Sequence, residues 1–228
     1  MSTSGPTLER PSRTPSAPAG KPLLRGWLHL TFFVLSLPAG TLVIAEAGPA
    51  RARAAAIVYA IGCTALFGVS SCYHRGRWSP DAKARMRRLD HATIFVMIAA
   101  CYTPICLVVL RGATGIGILI GVWAGAAVCW VLAITGLSQR RPIAALSYIV
   151  LGWMIVIAIP EMVSRLTTPQ FVLIATGGGI YTIGAIVLAT KWPDPFPRVF
   201  GYHEVWHTMV AAACVCQYIA ITTVLHSA

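Results

Sequence analysis

The sequence predicts an all-α membrane protein with seven transmembrane helices. Three observations carry that expectation: a depleted charge content, seven apolar runs of spanning length, and a lopsided distribution of basic residues. The 228 residues are 57% hydrophobic and 11% charged, with mean hydropathy +0.72. Soluble domains carry about 25% charged residues, so a soluble fold is excluded. The net charge of +11 would alone raise nucleic-acid binding. The charges, however, fall in short clusters between apolar runs, as in proteins that set their membrane orientation with Lys and Arg. No nucleic-acid partner is expected.

A bilayer-crossing helix needs about 20 mostly apolar residues. Such runs occur at roughly 27–45, 54–73, 91–110, 113–137, 143–160, 170–190 and 203–225. Residues 1–25 are rich in Pro, Ser and Arg and have no apolar core. They are expected to form a disordered cytoplasmic tail, which leaves 26–228 as one membrane domain. The tail lacks the apolar region of a signal peptide, so the first span reads as an uncleaved anchor. Counting Lys and Arg in the tail and loops gives fourteen on one side and four on the other. This asymmetry predicts a cytoplasmic N-terminus and an outside C-terminus in a cell membrane.

Local features follow the same frame. Gly117, Gly121 and Gly125 form a doubled G-x-x-x-G in span four, a pattern that lets helices approach closely. Pro38 and Pro104 fall inside spans and predict kinks. Segment 79–90, SPDAKARMRRLD, opens with Ser79, Pro80 and Asp81. That is an acceptable helix start, and the segment reads as a short basic surface helix touching anionic lipid head groups. The seven cysteines are odd in number and lie in or beside apolar runs, which reads as small core residues rather than a disulfide framework.

Ionisable residues in spans are costly, so each one calls for a reason. Span two ends in SSCYH, which puts His74 at its cytoplasmic end and Ser70 one turn deeper on the same face. Span three opens with RRLDHA and brings Asp90 to the same side. Span seven opens with GYHEVWH, with His203 at the edge and His207 about 6 Å deeper. Three histidines and an aspartate thus converge from three spans. His203 and His207 share a helix face, which suits two zinc ligands, and His74 can supply a third. Asp90 can bind the metal or hold and deprotonate its water. Ser70 can donate to an oxygen at the metal or bond back to its own helix. Against this, a histidine at a span end is often only interfacial. His91 points about 100° away from Asp90 and reads as interfacial. His29 reads as an outer group of the site or a simple hydrogen-bonded residue. Glu204 reads as an interfacial acid.

S-x-x-x-H at 70–74, Asp90 after a basic loop, and H-x-x-x-H at 203–207 in the last of seven spans resemble the hemolysin III family. That family is the bacterial branch of the progestin and adiponectin receptor superfamily, more distantly related to alkaline ceramidases. The resemblance covers the chain from about residue 25. It implies a seven-helix fold with one intramembrane zinc near the cytoplasmic face. The family's zinc ligands would fall on His74, His203 and His207, its aspartate on Asp90 and its serine on Ser70. Its name comes from haemolysis attributed to some members, and relatives have been linked to lipid amide hydrolysis. Three histidines leave the fourth zinc position open, as catalytic sites do. The leading expectation is therefore a Zn²⁺-dependent hydrolase of lipid amides or esters, with membrane lipids as substrate, Asp90 as base and Ser70 as oxyanion donor. The rivals are a non-enzymatic receptor-like protein with a structural zinc, a pore-forming cytolysin, and an intramembrane metalloprotease. H-E-V-W-H spells the metalloprotease pattern, with Glu204 as base. Zinc over iron or manganese rests on the resemblance and on an all-nitrogen ligand set that several metals accept.

Overall fold

A computed structural model of the protein describes residues 21–110, 112–137 and 141–227, with backbone alone for 141–145. The first twenty residues of the expected tail, and the loop arginines Arg111 and Arg140, lie outside the described residues. The elements are α1 (Trp27–Glu46), α2 (Ala50–Arg75), α3 (Pro80–Pro104), a π-helical turn (Ile105–Val109), α4 (Gly112–Thr135), α5 (Arg141–Gly152), a 3₁₀ segment (Trp153–Ala158), α6 (Ile159–Arg165), α7 (Thr168–Thr190) and α8 (Tyr202–His226). Seven stretches are long and apolar enough to cross a membrane. The fifth, Leu146–Arg165, runs through α5, the 3₁₀ segment and α6.

The basic segment 79–90 is not a separate surface helix; it is the first three turns of α3. Ser79 accepts a hydrogen bond from the Ala82 N–H, Pro80 opens the first turn, and neither Gly nor Pro follows until Pro104. With nothing to break it, the helix runs straight into the membrane-length stretch. Its exposed Lys83, Arg85 and Arg87 therefore sit on one rigid rod with Asp90. Pro104 ends the α-helical part of the span, and the π turn takes over there. α1 continues through Pro38 without interruption.

Neighbours in sequence pack together along the bundle, and α1 also packs on α8, so the first and last spans meet. One apolar core lies among α1, α2 and α8, with Tyr59, Phe67 and Ile221 fully buried. A second joins α3, α4 and the broken fifth span through Phe95, Val122 and Met162. In the G-x-x-x-G stripe, Gly121 and Gly125 meet Met154 and Leu151 of the fifth span, whereas Gly117 faces open space. The break in that span leaves backbone groups to satisfy. The Tyr102 hydroxyl does this, sharing its proton between the Leu151 and Gly152 carbonyls and accepting from the Ile155 N–H at 3.0 Å. All seven cysteines are free; Cys106 and Cys214 are buried as expected, but Cys72 is exposed.

Candidate metal centre

The end of the bundle that carries most of the basic residues gathers the expected side chains. His74 comes from the last turn of α2, and His203 and His207 from the first two turns of α8. One ring nitrogen from each lies within 4.8 Å of the others. The Nε2 atoms of His203 and His74 are 3.1 Å apart. Two nitrogens bound to one tetrahedral zinc at about 2.0–2.1 Å would stand roughly 3.3–3.4 Å apart, so the pair is spaced for a shared ion. A lone pair of histidines at this distance could equally share a proton. The third ring joins the pair: its centroid is 4.5 Å from that of His203 and 4.9 Å from that of His74. Three imidazoles gathered this closely, two of them buried and one half-buried, could together hold a metal ion.

Asp90 is buried in the third turn of α3. Its Oδ2 lies 3.8 Å from His74 Nε2, too far for a hydrogen bond. Ser70, buried one turn below His74, lines the same cavity as this carboxyl. Asp90 therefore stands one step out from His74 and shares a cavity wall with Ser70, His203 and His207. His91 is half-buried and borders the same cavity, and its carbonyl accepts from the Tyr148 hydroxyl at 3.4 Å.

Glu204 is not an interfacial acid. It is 4% exposed, accepts the Gly201 N–H at 2.9 Å, and forms an ion pair with Arg25. This carboxylate completes the start of α8 and the pairing of a guanidinium, which leaves it turned away from the role of a metalloprotease base. Asp194 accepts the next N–H, that of Tyr202, at 2.8 Å. On the other side, Leu23 and Leu24 donate to the Arg198 and Val199 carbonyls, at 3.1 and 3.2 Å. The N-terminal segment is thereby strapped to the approach of α8. Gly26 follows with φ 81°, and a Cβ there would stand 2.7 Å from the Cβ of His74.

Behind the cluster a cavity of about 240 Å³ opens between α3, the fifth span, α7 and α8. Its polar end holds Ser70, Asp90, His203 and His207; its far walls include Ile149, Val156, Met162, Phe171 and Ile174. Reasoning from sequence missed Arg25, whose partner lies 179 residues away, and no local pattern would have signalled it.

The family model described as "Haemolysin-III related" matches residues 19–218. "Hemolysin-3" of Bacillus cereus is 33% identical over 199 residues, covering 82% of this chain and 84% of that protein. "Hemolysin-3 homolog" of Bacillus subtilis (strain 168) is 27% identical, covering 82% and 86%. The human "Monocyte to macrophage differentiation factor" is 25% identical over 74% of this chain and 69% of its own length.

Proposed function

The chain belongs to the haemolysin-III related family of multi-pass membrane proteins, and from that premise we propose that it is a zinc-dependent hydrolase of lipid amides or esters, working at the cytoplasmic face. The single observation that carries this reading is a buried carboxyl, Asp90, 3.8 Å from one of three clustered imidazoles, the other two of which line with it a largely apolar cavity. A carboxyl beside the ligands serves structural and catalytic sites alike, but a purely structural site has no need of a cavity leading away from its ligands.

His74, His203 and His207 would hold the ion. Zinc, when bound, supplies Lewis acidity to an oxygen in its open position. Asp90 takes the proton of a water in the cavity, and later returns it to the leaving amine or alcohol. Ser70 keeps the carboxyl in one orientation and donates to the developing oxyanion once Asp90 carries the proton. The walls around Met162 and Phe171 receive an acyl chain and keep bulk water away. On the same surface, Lys83, Arg85 and Arg87 of α3 attract anionic head groups.

Asp90→Asn and Glu204→Gln separate this reading from proteolysis. Asp90→Asn should retain one metal per chain and lose turnover of a fluorogenic ceramide or acyl-ester panel by about 10²–10⁴-fold. Glu204→Gln should keep turnover. Intact turnover in Asp90→Asn sinks the assignment, and loss of activity confined to Glu204→Gln points to the metalloprotease.

A further inference from the structure

One imidazole beside the cluster has no part in that reading. His29 is the third residue of α1 and is 3% exposed. Its ring lies flat on that of His207, with centroids 3.7 Å apart and planes 10° from parallel. Phe67 meets it edge-on at 5.2 Å. Neither of its ring nitrogens has a hydrogen-bond partner among the described residues. Leaving a buried donor or acceptor idle costs about 1–3 kcal/mol, so a nitrogen pair buried like this is there for a group the protein alone does not supply. The cavity shows where that group sits: His29 lines it together with Ser70, Asp90, His203 and His207.

The stacking also restricts what His29 does. An imidazole nitrogen presents its lone pair or its hydrogen in the plane of the ring. Rings stacked face to face direct their nitrogens along parallel planes, not at one point. An ion held in the plane of His207 is thus out of the plane of His29. The three convergent ligand atoms accordingly come from His74, His203 and His207, and His29 contributes none. What His29 can reach is an oxygen standing beside the ion in the cavity.

We propose that His29 is a positioning residue of the centre: its face fixes the ring of His207, and one of its nitrogens hydrogen-bonds the oxygen that fills the open coordination position, whether from water or from the substrate's carbonyl. This rests on reading the histidine cluster as a metal centre, and it adds α1 to the spans that act on the reacting oxygen. His29→Phe preserves the stacked face and deletes both nitrogens; His29→Gln restores a donor and an acceptor without the ring.

The test uses the full-length protein in detergent, loaded with Co²⁺ and titrated with acetohydroxamate, a small oxygen donor, while the visible cobalt bands are followed. The native protein, His29→Phe and His29→Gln should each hold one metal per chain. Acetohydroxamate should bind His29→Phe about tenfold more weakly than the native protein, and His29→Gln should recover part of the loss. Equal affinity in the native protein and His29→Phe overturns the proposal while leaving the metal centre standing. Loss of metal from folded His29→Phe also overturns it, since His29 would then be a ligand. A native protein that binds no metal fails at the earlier step and takes both readings down.

Discussion

At Gly26 the backbone turns into the left-handed region, φ 81°, with the side chain of His74 directly against it. An alanine there meets two penalties at once. The left-handed conformation costs about 1–2 kcal/mol for a residue with a Cβ, and the new methyl presses on the Cβ of a metal ligand. Gly26→Ala should therefore lower zinc affinity about tenfold or more in competition with a chromophoric chelator, with a smaller loss of thermal stability. Gly26→Ala with native affinity would show that His74 yields without leaving the site. Glu204 teaches the complementary lesson. The spelling H-E-x-x-H made it a candidate base, yet its oxygens are occupied by Arg25 and the Gly201 N–H. Glu204→Gln should lower the melting temperature by several degrees, as breaking a largely buried pair costs about 3 kcal/mol or more, and should leave bound zinc at one per chain.

At the scale of elements, what could be read in advance depended on whether the cause was local. The pair His203 and His207 was legible because a helix puts residues four apart on one face. His74 and Asp90 were legible because consecutive spans alternate in direction, so the end of α2, the start of α3 and the start of α8 fall on one side. The separate surface helix was misread because a basic stretch and an apolar stretch differ in composition, while helix continuity depends only on the absence of a breaker between Ser79 and Pro104. The break in the fifth span was hidden for the opposite reason. Gly152 precedes its 3₁₀ segment, Trp153–Ala158, and Pro160 follows it, yet breakers this common in spans do not by themselves mark a changed helix type, and the support comes from Tyr102 on another helix. Tyr102→Phe tests that support. It keeps the ring and leaves the Ile155 N–H without its partner, so stability should fall by about 1–3 kcal/mol, read as earlier thermal unfolding in detergent. Unchanged unfolding would mean that the segment repairs its own hydrogen bonds.

For the molecule as a whole, an ion held by His74, His203 and His207 would join α2 to α8, with His29 of α1 stacked on His207. A bound ion thus cross-links spans that are far apart in sequence. Any ligand that binds only the folded state stabilises it by mass action, by about 2.7 kcal/mol when present at 100 times its dissociation constant. Removing metal with a strong chelator should lower the melting temperature, and added Zn²⁺ should restore it; no change on either treatment would argue against a site spanning these helices. The seven spans were legible because apolar length is a property of each run alone. The strap of residues 23–26 across the start of α8 was not, because it exists only once both ends of the fold have met. That meeting also sets an order in time. His74 and Asp90 leave the ribosome and enter the bilayer well before His203 and His207, which belong to the last helix made. A chain stalled or clipped before α8 holds only one of the three ligands and cannot retain the ion. Metal loading would then mark a finished chain.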